Sequence, residues 1–387
     1  MHKVKRLKVG GFRRLRDVDI EMRPLMVMIG ANGVGKTSLM DAISLFAASA
    51  AGALNKTLGD MGGVADVLTR GYAGDIAFMV ETGGKGFDPL NYSLHIKPAG
   101  YRYSISQEIL AFAQNNQPAL FTKVIDAQYE NVQYFDALSN KLVRPDWELN
   151  PLESALSQLA NQFPKMFLSP VEYRRVLASV TKYHVLDAGR RAPVKLPQQM
   201  KPADLPGENG EDLVTFLYYL RETNHDRYET IEDTLKAAFP GFEMLNFPPV
   251  AAGTLGMTWK DKNFKDPLYM HQLSEGTLRF LWLIALLQSP GLSTITMIDE
   301  PEVSLHPELL NILAETMREA SRRTQIIVAT NSARLIKSLE PNEVVAMDIN
   351  DEGFTEANWA DTFDLEEWMK DYRLDELWSM GQIGGRS

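Results

Sequence analysis

Lys36 and Thr37 close a glycine-spaced run, Gly30-Ala31-Asn32-Gly33-Val34-Gly35-Lys36-Thr37-Ser38, that fits G-x-x-x-x-G-K-[ST]. The chemistry this spacing serves is phosphate binding. Backbone N–H groups of such a loop wrap the phosphates of a nucleoside triphosphate, the lysine reaches the β- and γ-phosphates, and the threonine hydroxyl binds Mg²⁺. The loop needs a strand before it and a helix after it. Residues Pro24 to Ile29 form a short apolar run suited to a buried strand, and Ser38 to Phe46 have helical spacing. The loop therefore sits at a helix N-terminus, whose unpaired N–H groups and positive dipole end favour phosphate. Its glycines permit close backbone approach and positive φ.

Two further clusters could serve the same chemistry. His271-Gln272-Leu273-Ser274-Glu275-Gly276-Thr277 precedes a strongly apolar helix expected over 277–287. Ser274 and Gly276 there make either a helix cap or an anion site. Downstream, the apolar strand 293–298 runs into Asp299-Glu300-Pro301-Glu302. A carboxylate at such a strand end can hold Mg²⁺, and the next can orient an attacking water. Thr330-Asn331-Ser332 ends the following strand, 325–330, and puts polar side chains at the carboxyl edge where open α/β sheets bind ligands.

The elements that must position these groups are legible in outline. Short strands are expected at 4–12, 17–22 and 25–29, then at 75–80, 92–97 and 101–107, with Gly83-Gly84-Lys85-Gly86 as a hairpin turn. From 108 to 242 the pattern reads as mostly helical, broken by many prolines, with its best helices at 210–222 and 226–239. Strands alternating with helices follow to the end, which indicates a parallel α/β sheet. The expected organisation is a discontinuous head, 1–107 and 243–387, with a helical insertion lobe at 108–242. Leu365, Trp368, Met369, Tyr372, Leu374, Leu377 and Trp378 have amphipathic spacing suited to packing on the protein's own sheet.

The bulk numbers exclude several classes. The chain has 387 residues, 45% of them hydrophobic and 23% charged, as in an ordinary soluble globular protein. It has no cysteine, which removes disulfides, thiolate metal sites and cysteine nucleophiles. Its six histidines are scattered without an i,i+4 pair, against a zinc site. The longest apolar run, Phe280 to Leu287, is too short to span a bilayer, and the basic N-terminus lacks a following apolar stretch. A cytoplasmic location without membrane attachment is expected. A formal charge of −10 argues against a surface that coats DNA non-specifically. The N-terminal Lys3, Lys5, Arg6, Lys8, Arg13, Arg14 and Arg16 are either a solvated strand edge or a nucleotide or nucleic-acid contact.

The order of these motifs resembles the ABC-type ATPases. Leu-Ser-Glu-Gly-Thr at 273–277 and Ile-Asp-Glu-Pro-Glu-Val-Ser-Leu-His-Pro at 298–307 look like the RecF/SMC/OLD branch of bacterial AAA-type ATPases. Gly11-Phe12-Arg13-Arg14-Leu15-Arg16-Asp17-Val18 and the C-terminal Leu374 to Gly381 are similar to that branch too. The resemblance implies an α/β P-loop NTPase fold with an ABC/SMC-head-like mixed sheet. It implies ATP and Mg²⁺ as ligands and a homodimer enclosing two ATP molecules. One copy would supply the phosphate loop, with Asp299 helping Thr37 hold Mg²⁺ and Glu300 activating water. The other would supply Ser274 and Gly276 to the γ-phosphate, with Ser304, Leu305 and His306 at the crossing between protomers. Arg13 or Arg14 would contact the nucleotide. The family commonly has His where Asn331 stands, so turnover is expected to be slow. No Gln lies between Lys36 and Ser106 to serve as the family's Mg²⁺-sensing glutamine.

Other ATP-driven classes fit less well. Transporter motors have a much shorter gap between the two motifs. Chromosome-organising arms need long heptad helices, which the prolines of 108–245 break. An OLD-type fused nuclease would need more chain after Asn331. Two readings remain: an ATPase that grips DNA, or a nucleotide-dependent scaffold for a protein effector in DNA maintenance or phage defence.

Overall fold

The computed structural model describes residues 3–84, 87–100, 102–114, 117–136, 139–159, 170–363 and 373–381. They form two compact units, one made of 1–181, 345–363 and 381–387, the other of 182–344 and 364–380.

The first unit is built on an eight-stranded antiparallel sheet. Its strands are β1 (Lys3–Phe12), β2 (Leu15–Glu21), β4 (Ile76–Gly84), β5 (Phe87–Ala99), β6 (Arg102–Gln114), β7 (Gln117–Gln128), β8 (Asn131–Asp136) and β9 (Lys141–Val143), in the order β2-β1-β4-β5-β6-β7-β8-β9. Alternation sets the register: Val9 lies opposite Val18, and Val80 opposite Tyr92, all four buried. The strand β3 (Leu25–Ile29) is buried at all five residues and leads through the phosphate loop into α1 (Lys36–Ala51). Leu39, Ile43, Phe46 and Ala50 recur at helical spacing on the buried face of α1. The Phe46 ring lies 5.8 Å from Phe78 on β4 and 5.5 Å from Tyr92 on β5, which seats the helix on the sheet.

A short strap, Leu152 to Leu156, ties helix and sheet together. The buried Glu108 carboxylate on β6 accepts the N–H groups of Ala155 (2.6 Å) and Leu156 (2.8 Å) and the Tyr92 hydroxyl (2.9 Å). Ser154 donates to the Ser49 carbonyl near the end of α1, and Glu153 accepts the Leu54 N–H at the start of helix Leu54–Asp60. Burial pushes the Glu108 carboxyl up to about 7, against the pull of its three donors.

In the second unit, strands Ile295–Asp299 and Gln325–Thr330 pair in parallel, Asp299 beside Ala329, with helix Leu309–Ser321 between them in the chain. Helix Glu275–Gln288 is buried almost throughout from Leu278 onward. Helices Leu213–Thr223 and His225–Ala238 are separated at Asn224, close to the expected break.

Three expectations change. The stretch expected to begin a helical lobe is sheet from β6 through β9. Glu-Ile-Leu-Ala-Phe-Ala-Gln at 108–114 has helix-forming composition, but its pairing with β5 and β7 overrides that propensity. The compact units divide at 181/182, 344/345, 363/364 and 380/381, where the sequence reading set its lobe at 108–242. Finally, where packing on a sheet was expected, helix Leu374–Ser379, with Leu374 and Leu377 buried, lies against helix Ala333–Ile336; Leu365, Trp368, Met369 and Tyr372 lie outside the described residues. The hairpin between β4 and β5 forms with Gly84 opposite Phe87, while its expected turn residues Lys85 and Gly86 lie outside the described residues.

Candidate functional site

In the first unit the loop Gly30–Gly35 joins the end of β3 to an α1 whose N-terminus has no side-chain cap. The positive dipole end of a 16-residue helix thus faces the loop with no side-chain cap among the described residues. Gly30, Gly33 and Gly35 all have positive φ (155°, 83° and 115°). Their reasons differ. A Cβ on Gly30 would collide with the Met347 carbonyl, and one on Gly35 would lie 2.5 Å from Thr355 Oγ1, so strands Val344–Ile349 and Thr355–Trp359 impose both. A Cβ on Gly33 would meet nothing within 4 Å, so only its backbone conformation selects glycine and the loop's crest is open. Thr355 also donates to the Val34 carbonyl at 2.7 Å and holds the loop from below.

The Lys36 ammonium is folded into the loop and donates to the Gly30 carbonyl (2.6 Å) and the Ala31 carbonyl (3.0 Å). Asn32 and Thr37 are exposed, Ala31 and Ser38 half-buried, and Val34 and Lys36 buried. Open donors, an ammonium and an exposed hydroxyl fit a polyphosphate. Among the described residues no three His, Asp or Glu side chains gather as a metal cage. A magnesium ion here would therefore depend on one or two protein oxygens and on phosphate. Arg13 has φ 49° and its guanidinium pairs with Asp41 of α1 at 2.6 Å, stacked over Phe12. Arg14 donates to the Gly353 carbonyl.

The second unit gathers the remaining predicted residues. Ser274 caps helix Glu275–Gln288, accepting the Thr277 N–H at 3.1 Å, so the capping role is realised while the serine stays exposed. A Cβ on Gly276 would run into the Ser304 carbonyl; the Ser304 backbone, not a ligand, is what demands glycine there. Ser304 is itself left-handed (φ 64°), accepts Arg279 Nη1 at 2.8 Å and donates to Glu275 at 3.0 Å. Arg279 also donates to the Val303 and Leu186 carbonyls, locking the serine-glycine loop to the turn after Glu300.

That turn is strained at Glu300, φ 48°, and is fastened to the neighbouring strand by the Glu300 N–H on the Ala329 carbonyl (2.8 Å). Asn331 Nδ2 donates to Glu300 Oε1 at 3.3 Å, so Asn331 and Glu300 are brought together as the motif order suggested. Asp299 is half-buried at the end of its strand. Asp299 and Glu300 themselves line a small cleft with His184, Leu186, Arg279, Trp282 and Leu283. Glu302 carries no role in the sequence reading, yet its Oε1 accepts Thr330 Oγ1 at 2.5 Å. Burial raises the Glu302 carboxyl above its ordinary range, with the Glu300 charge adding to it. Its only sequence signal is the third acid of Asp-Glu-Pro-Glu.

Residues 25–337 match the family described as "AAA domain, putative AbiEii toxin, Type IV TA system". The chain belongs to that family. An OLD nuclease of Thermus scotoductus is 48% identical over 42 residues, a stretch that covers 11% of this chain and 8% of that relative. Among solved structures, the chain is similar to an Smc head bound to the C-winged helix domain of ScpA, with TM-score 0.57 and 14% identity over 92% of this chain and 97% of that one. It is also similar to an Smc head with an extended coiled coil, bound to the C-terminal domain of ScpA and derived from Pyrococcus furiosus (TM-score 0.52, 12% identity, 96% and 98% covered). At these identities the likeness is one of fold: an α/β P-loop NTPase with an SMC-head-like mixed sheet, as expected. Among the described residues no helix is long and apolar enough to cross a membrane.

Proposed function

We propose that this protein binds ATP with Mg²⁺, hydrolyses it slowly, and uses it to switch between separate and paired copies. The observation that carries the reading is the open phosphate loop, with uncapped α1 behind it and the Lys36 ammonium folded within it. A triphosphate in the loop would take the ammonium from the Gly30 and Ala31 carbonyls and accept N–H groups at the start of α1. By the family resemblance Thr37 and Asp299 would be the residues to hold Mg²⁺, which would supply positive charge to the phosphates. Glu300 acts as the base or water-positioning group, and the Asn331 amide holds its carboxylate. An amide is a neutral donor where an imidazolium would assist with charge, which favours slow turnover.

Ser274 and Gly276 are proposed to complete the site of a second copy. They sit on a solvent-facing helix start that is rigidly tied to Ser304, also exposed. Such a patch is preorganised without a ligand of its own chain. The test is phosphate release per chain as a function of protein concentration. Turnover should rise with concentration in the wild type. Ser274→Arg should abolish turnover while leaving ATP binding to the single chain unchanged; concentration-independent turnover in both would remove the shared site.

For the downstream partner, the protein-effector reading is favoured over DNA by charge pairing. Arg6 and Lys8 share Asp19, Arg13 pairs with Asp41 and Arg16 with Glu352, so part of the N-terminal basic run already faces carboxylates. The formal charge of −10 points the same way. Duplex DNA binding with ATP at low salt, falling steeply as salt rises, would restore the DNA reading.

A further inference from the structure

Glu302 is a buried carboxylate that the proposed chemistry leaves unused, and its contacts lead straight to residues that chemistry employs. Oε1 accepts two donors from the neighbouring strand end, Thr330 Oγ1 at 2.5 Å and the Asn331 N–H at 3.4 Å. Oε2 is buried with no hydrogen-bond partner among the described residues. An acid in such a place costs stability relative to an apolar side chain, so its presence calls for a reason. The surroundings supply one. Thr330 Oγ1 in turn accepts the Ser332 N–H at 3.0 Å, so Glu302 fixes the chain on both sides of Asn331. The same Asn331 sends its side-chain amide back to Glu300 Oε1, two residues before Glu302. The Glu300 N–H on the Ala329 carbonyl closes the ring of contacts from the other end. Carboxylate, strand end, amide and second carboxylate thus form one closed loop.

We propose that Glu302 is a positioning residue, which fixes the Thr330–Asn331 strand end so that the Asn331 amide meets and aims the Glu300 carboxylate. This rests on the reading of Glu300 as the group that handles water. Glu302 Oε1 is committed to two donors of that strand end. What the role requires is an acceptor oxygen of fixed reach, which glutamine retains and alanine lacks.

The experiment compares Glu302→Ala, Glu302→Gln and Thr330→Val in the full chain by two readouts. The first, without nucleotide, is the side-chain amide signal of Asn331 in protein labelled with ¹⁵N-asparagine. It should keep its wild-type shift in Glu302→Gln, move toward a free amide in Glu302→Ala, and move partway in Thr330→Val. The second is ATP turnover, where misaiming Glu300 should lower kcat by roughly 10²-fold in Glu302→Ala. Glu302→Gln should stay within about threefold of wild type, and the ATP Kd should be unchanged in both. The inference is overturned if the Asn331 signal and kcat are untouched by Glu302→Ala, or if Glu302→Gln is as impaired as alanine. It is also overturned if kcat and ATP affinity fall together, the mark of general structural damage. Should Glu302→Ala fail to fold, Thr330→Val alone decides by the same criteria. A wild-type chain that turns over no ATP would remove the reading of Glu300, while the Asn331 signal would still judge the contact.

Discussion

The phosphate loop and the Ser274–Glu300–Asn331 cluster both present polar groups where strands end and helices begin, but they are assembled in opposite ways. The loop is nearly self-contained. Its ammonium, its backbone N–H groups and its open crest come from nine consecutive residues, Gly30 to Ser38, braced from outside by Met347 and Thr355. The cluster is a mosaic. It joins segments 274–279, 299–304 and 330–332 through side-chain hydrogen bonds, with left-handed backbone at Glu300 and Ser304. Damage to the loop should therefore stay local, whereas damage to one member of the cluster should spread to the others.

Breaking the loop gives the largest expected effect. Lys36→Ala should weaken ATP binding by roughly 10²-fold, as expected for loss of a charge-assisted contact, with little change in melting temperature. Calorimetric titration with Mg-ATP measures it, and retained affinity would mean that the loop does not hold phosphate. The loop's support can be probed through Glu108, whose folded-state value of about 7 lies above the unfolded carboxylate range. A raised acid contributes stability fully below its unfolded pKa and loses it as pH rises through about 7. Glu108→Gln should flatten that slope, changing the pH 5 to pH 8 difference in unfolding free energy by on the order of 3 kcal/mol. Denaturant titrations at the two pH values give this directly, and an unaltered slope would contradict the burial argument.

Smaller effects sharpen the contrast. Gly276→Ala must displace the Ser304 carbonyl and should cost about 1–3 kcal/mol of local packing. It should lower turnover while leaving single-chain ATP affinity intact; normal turnover would show that Ser304 is not tied to Gly276. Asn331→His should raise turnover by about tenfold if a charged donor is what the site lacks. An unchanged rate would remove that role from Asn331. Arg13→Ala should matter least, about 1 kcal/mol or below, because its guanidinium is committed to Asp41 in a partly exposed pair. A tenfold loss of ATP affinity in Arg13→Ala would instead place this arginine on the nucleotide.

The same contrast explains what could be read from the residues alone. The phosphate loop was legible because its function and conformation are written in adjacent positions. Strands 25–29 and 325–330 were legible because they are short, apolar and fully buried. The first half of β6 was legible too, but its second half and β7 to β9 were not, since Glu-Ile-Leu-Ala-Phe-Ala-Gln at 108–114 mimics the start of a helix. Glu108 moreover puts an acid where the alternation needs an apolar residue. Glu302 and the Gly276–Ser304 contact escaped for a related reason: each is defined by a partner distant in sequence. Even the glycines Gly30 and Gly35, correctly assigned to the loop, owe their identity to strands more than three hundred residues away.

The central proposal is a pair of copies enclosing ATP, and trapping that pair tests it most directly. Glu300→Gln keeps the contact with Asn331 but removes the base, so bound ATP should persist. Light scattering on this variant should report twice the 43.5 kDa chain mass with ATP and Mg²⁺, and the single mass without nucleotide or with Ser274→Arg added. A single mass with ATP demonstrably bound would contradict the proposal.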